Sequence, residues 1–129
     1  MFVATLNNSV RFRVGTILAY LISLILAGSA AAKFVQVPQV TSKLAVLGFE
    51  GSKLLLIAAL ELTSAILFAI PRTRTFGLLM ASAYLGGAVA AHVAHDQIPF
   101  QPAFVLALLW LAVLLRHPEA RRSLAGTPA

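Results

Sequence analysis

The sequence predicts an all-α integral membrane four-helix bundle, and three observations carry that fold class. Hydrophobic residues make up 60% of the chain and charged residues 11%, against roughly 25% charged in an average soluble domain. The mean hydropathy is +0.91. The apolar residues gather into four long runs separated by polar breaks, and the arginines and lysines sort themselves between alternate breaks. A chain so poor in polar side chains cannot cover its own surface in water. At 129 residues it has room for one four-span membrane domain and no accessory soluble module.

The four runs are Val14 to Ala32, Leu54 to Ile70, Phe76 to Ala94 and Pro102 to Leu115. The second is closed by Pro71, which a helix interior does not accept, and its 17 residues are close to the roughly 20 that cross a hydrocarbon core of about 30 Å. Pro71 to Arg74 joins the second run to the third, and His95 to Gln101 joins the third to the fourth. Such short connections make these helices antiparallel neighbours. The longest break, Lys33 to Lys53, carries Pro38, then Val40, Leu44 and Leu47, with Gly48 as a C-terminal stop. That pattern predicts a short amphipathic helix lying at the outer interface, either a cap on the bundle or a lid. The third run is rich in small residues, and its Ala83-xxx-Gly87-xxx-Ala91 ladder predicts close backbone packing and a central place in the bundle.

Charge sets the orientation. All seven arginines (Arg11, Arg13, Arg72, Arg74, Arg116, Arg121 and Arg122) lie before the first run, between the second and third, or after the fourth. All three lysines (Lys33, Lys43 and Lys53) lie on the opposite side, with Glu50 and Asp96. An excess of basic residues marks the cytoplasmic face, so both termini are expected there, and four spans satisfy that parity. Arg11 and Arg13, the apolar stretch behind them and Gly28 to Ala32 also have the layout of a signal peptide, but the stretch is long enough to span and is expected to stay.

The chain contains no cysteine, which excludes disulfides, thiol chemistry and iron–sulfur clusters. The pI of about 10.9 does not make it a nucleic-acid binder, since the basic residues flank apolar spans and follow topology.

Glu61 is the residue that points to chemistry, because a carboxylate within a membrane span is a functional site by default. At 1.5 Å per residue it lies about 10 Å from the outer end of its span, level with Gly86 at about 12 Å and Ser23 at about 13 Å on their own helices. Ser29, Ser64 and Tyr84 fall near the same depth. Glu61, Ser23, Ser29, Ser64 and Tyr84, with Gly86 and Gly87 leaving space, define an expected polar pocket in the outer half. Lys33 ends the first span on the same side, and its stem can bring the ammonium down to the pocket mouth. His92, His95 and Asp96 share a face at the outer mouth. One carboxylate and two histidines form a legitimate metal set, but Glu61 lies deeper than both rings, so no metal site is expected. Haem ligation is poor as well: His117, the remaining histidine, is at the other end. There is no flavin motif.

Lys33 after a small-residue helix end, Pro38, Leu47-Gly48-Phe49, Ala59-Leu-Glu61-Leu with Pro71-Arg72, and Ala83-Tyr84-Leu85-Gly86-Gly87-Ala88 with His92 together resemble the DoxX-like family of small four-helix membrane proteins. The resemblance covers about residues 27 to 95. It implies a four-helix bundle in a bacterial cytoplasmic (inner) membrane, in a family named after a subunit of a thiosulfate:quinone oxidoreductase, and it carries over no catalytic residue set.

Three function classes stand. The first is a redox-associated or ligand-binding subunit that takes a small lipophilic molecule, a quinone, beside Glu61, with electrons from a redox partner protein. The second is a membrane enzyme of lipophilic substrates, an isomerase or epoxide-opening activity, with Glu61 as acid or base and Tyr84 or His92 as counterpart. The third is a small proton-coupled exporter, which the strong charge bias and the position of the glutamate in the second span disfavour. The expected partners are the lipid bilayer, the lipophilic molecule, a redox partner and further copies of the chain in an oligomer.

Overall fold

A computed structural model describes residues 2–126, with side chains from Asn7 onward. Among the described residues the elements are α1 (Phe2–Phe34), α2 (Pro38–Val46), α3 (Ser52–Ala69), a single 3-10 turn (Pro71–Thr73), α4 (Arg74–Ala94), α5 (Phe100–Arg116) and α6 (Pro118–Leu124). Asn7–Phe34, Ser52–Ala69 and Pro71–Ala94 are long and apolar enough to cross a membrane. The 17 residues of α5 turn by 113° into α6, and that bent pair brings the number of spans up to four. Pro118 sits at the first position of α6 and fixes the bend.

The helices form a ring in which α1 packs on α3 and α5, and α4 packs on the same two. Its centre is made by Ala19, Ile22 and Leu26 of α1, Ala65 and Phe68 of α3, Leu78, Ala81 and Leu85 of α4, and Leu109 and Ala112 of α5. The three- and four-residue spacing of these positions is one helical stripe from each element. Outward faces carry Ile17, Leu24, Leu56, Ile66, Leu79 and Leu111, which suits a hydrocarbon surround. Trp110 ties α5 to α4 by donating its indole N–H to Ser82 Oγ at 3.1 Å.

In a membrane every backbone group must find a partner inside the protein, and both ends of the ring show how this chain manages it. Near the lysines, α1, α2 and α4 all end in a left-handed residue, Gln36, Gly48 and Asp96. The following N–H then reaches back to the helix, Val37 to Ala32 O at 3.0 Å, Phe49 to Leu44 O at 2.9 Å and Gln97 to His92 O at 2.9 Å, a closure that satisfies otherwise orphaned carbonyls. Near the arginines, α3 stops at Pro71, and two side chains cap its final turn. Thr73 Oγ1 donates to Leu67 O at 2.8 Å, while Arg74 donates through Nε to Phe68 O at 2.8 Å and through Nη2 to Ala69 O at 3.0 Å.

Two expectations from sequence need correction. The third span is not a central helix, since each member of the ring has two flanking neighbours. Nor does its Ala83–Gly87–Ala91 ladder pack: Ala83 and Gly87 are exposed, and a Cβ at Gly86 or Gly87 would meet nothing within 4 Å. The buried stripe of α4 is instead Arg74, Gly77, Leu78, Ala81 and Leu85. Close approach occurs at Gly77, where a Cβ would fall on Phe68 N and lie 2.5 Å from Phe68 Cα and 2.6 Å from the Leu67 carbonyl carbon. It occurs again at Gly15, 2.7 Å from Arg116 Cγ and 2.9 Å from Ala112 O.

Candidate functional site

Glu61 stands on the buried stripe of α3, with Leu54, Ala58, Ser64, Ala65 and Phe68, and is 3% exposed. The buried stripe of α1 ends with Ala30 and Lys33. Because a helical side chain leans toward its own N-terminus, the lysine at the end of α1 folds back into the bundle instead of out to water. Its Nζ donates to Glu61 Oε2 at 2.5 Å and to Ser29 Oγ at 2.7 Å. Lys33 is 5% exposed, so both charges of the pair are withdrawn from water. Tyr84, half-buried on α4, presents its phenol to the same carboxylate. A carboxylate, an ammonium, a phenol and a hydroxyl from three helices thus meet in the half of the bundle nearest the lysines.

The remaining residues expected in this site are placed differently. Ser23 is buried but returns its hydroxyl to Ala19 O at 3.1 Å, and Ser64 does the same to Leu60 O at 2.7 Å. Both satisfy themselves on their own helices. His92 is half-buried and its Nδ1 bonds Ala88 O at 2.7 Å, which makes Nδ1 the protonated nitrogen and Nε2 the one presented to neighbours. Gly86 and Gly87 lie on the outward face of α4 and do not border the carboxylate; the reason is the helical phase set by Tyr84 and Leu85, which turns the next two residues away. His95 and Asp96 are exposed. Among the described residues no three His, Asp or Glu side chains come together as a metal site.

Two features at the opposite end escaped the sequence. Arg74 reads there as a loop cation, yet it is 8% exposed and lies 5.7 Å and 5.9 Å from the Tyr20 and Phe68 ring centres. The signal was the four-residue turn, which leaves an arginine beside the last carbonyls of the preceding helix, where cations are favoured. The second is Arg116, whose Cγ crosses α1 at Gly15.

Fold and buried cluster define a small helical membrane protein with an ion pair held inside its span region. The DoxX-like family profile matches residues 17–115, and the chain belongs to that family. No curated protein and no solved structure matches it.

Proposed function

We propose that this DoxX-like protein binds a small lipophilic ligand, a quinone, against the Glu61–Lys33–Tyr84 cluster, as a ligand-binding or redox-associated subunit of the bacterial inner membrane. The observation that carries the reading is the convergence of α1, α3 and α4 on one buried carboxylate whose partners include two strong donors. A quinone carbonyl accepts a hydrogen bond from Lys33 Nζ or from the Tyr84 hydroxyl, while Glu61 takes or gives the proton that accompanies a change in the ring. Ser29 holds the ammonium when the ligand competes for it. Electrons come from a redox partner protein, and Gly86 and Gly87 offer an unencumbered outer face of α4 by which a partner or a second copy approaches. The Glu61–Tyr84 pairing also supports a second reading, an enzyme in which the phenol donates to an epoxide or enol oxygen and Glu61 acts as base.

A short-chain ubiquinone analogue is the probe, with quenching of Trp110, the single tryptophan, as the readout in detergent. Saturable quenching is expected in the wild-type protein. Tyr84→Phe removes one of the two donors offered to the ring carbonyl, and its dissociation constant is expected to rise about tenfold, the loss of one hydrogen bond. Quenching that never saturates, or that is equal in the two proteins, sinks the quinone reading.

The orientation belongs to the same proposal. Seven arginines against three lysines support an arginine end, with both termini, in the cytoplasm, and α2 over the outer interface. Reporter fusions at residue 129 and in the turn at Arg72 should be active only as cytoplasmic reporters, and a fusion beside Lys43 only as an external one. An external C-terminus overturns the four-span arrangement.

A further inference from the structure

The arginine end contains a second polar site, unrelated to Glu61. A cleft of about 160 Å³ enters the bundle between the end of α3, the start of α4 and the end of α5. Its inner wall is apolar, Ala19, Phe68 and Ala112, and its polar side is formed by Arg74, Arg116 and His117.

Charge in this cleft is unbalanced. The Arg74 guanidinium is always positive and the residue is 8% exposed, yet its hydrogen bonds go to neutral carbonyls of α3. Arg116 lines the same cleft. Its Nε is shut off from solvent with no hydrogen-bond partner, and its guanidinium lies 4.8 Å over the Phe12 ring. The nearest acid, Glu119, is exposed and is engaged by His117 Nδ1 at 3.0 Å. Glu61, the acid inside the bundle, is held by Lys33 near the other end. Two buried or half-buried cations lining one cleft with no carboxylate between them, one with a donor left unmade, are costly unless an anion joins them. The lack of a side chain at Gly15 is what allows Arg116 to lie across α1.

We propose that the cleft between Arg74 and Arg116 binds a phosphate-type oxyanion, delivered as the headgroup of an anionic lipid or as a free ion. Planar guanidinium groups meet phosphate oxygens through paired N–H donors, and basic pockets between helix ends are suited to lipid headgroups. His117 adds a third polar side chain to the same cleft.

Delipidated protein in neutral maltoside detergent is the test material, with thermal unfolding followed by Trp110 fluorescence. Phosphatidylglycerol is compared with phosphatidylcholine, and inorganic phosphate with chloride at equal ionic strength. The wild-type midpoint should rise with phosphatidylglycerol or with phosphate. In Arg116→Gln the concentration giving half the effect should increase about tenfold, the loss of one charge-assisted contact. Arg72→Gln removes the same charge from an exposed position of the same turn and should keep the wild-type response. Arg74 also caps α3, so Arg116→Gln is the decisive variant. A response to phosphatidylglycerol alone identifies a lipid headgroup, and a response to both sources identifies a free oxyanion. No preference for either anion over its control, or an unchanged response in Arg116→Gln, overturns the site.

Discussion

Lys33→Met should lower the unfolding free energy by about 3 kcal/mol, toward the lower end of the range for breaking a buried ion pair, because the Tyr84 phenol still faces the abandoned carboxylate. Glu61→Leu should cost at least as much, since it leaves an ammonium with Ser29 as its remaining side-chain partner. The double variant Lys33→Met/Glu61→Leu removes both charges and fills the space with apolar groups, and it should recover most of the loss. Detergent or denaturant titration followed by Trp110 fluorescence measures all three. If the two single effects simply add, the residues are not coupled, and the ion pair is not what joins α1 to α3 there. This cycle also separates stability from ligand binding, because the double variant is expected to be folded and unable to bind the quinone analogue.

The second large effect belongs to glycine, and it discriminates between two stripes of α4. Gly77→Ala drives a methyl into the backbone of Phe68 and should cost about 3 kcal/mol or prevent folding, the upper end of what overpacking produces. Backbone cannot rotate aside as a side-chain tip can. Gly87→Ala meets open space and should be neutral or stabilising by about 0.5–1 kcal/mol, the usual difference between alanine and glycine within a helix. Thermal unfolding of the two variants side by side is sufficient. A stable Gly77→Ala protein would show that α3 and α4 are further apart than described.

The contrast between these glycines shows where sequence reading succeeds and where it stops. The helices were legible because apolar runs of membrane length, broken at Pro71 and at His95 to Gln101, have few other interpretations. The end of α2 was legible because Gly48 adopts the left-handed conformation that stops a helix. Glu61 was legible through its rarity in such a run, and the inward reach of Lys33 through the length of its stem. Which stripe of α4 packs was not legible. Gly77, Ala81 and Leu85 repeat at four residues as Ala83, Gly87 and Ala91 do, and with lipid as apolar as the core, composition does not distinguish an inner face from an outer one. Arg74 was missed for a related reason: its burial depends on the direction of a four-residue turn, which is a property of three dimensions.

The Lys33–Glu61 bond spans 28 positions of sequence, and this has a consequence for how the chain is made. Helices enter the bilayer in order of synthesis, and a charged residue at the centre of a span costs about 2.5–3.5 kcal/mol on the insertion scale. When α3 leaves the ribosome it carries that penalty alone, while α1 already waits with an ammonium at its end. Lateral release of α3 is favoured once the two charges meet, so α1 acts as an intramolecular escort for the helix that follows it.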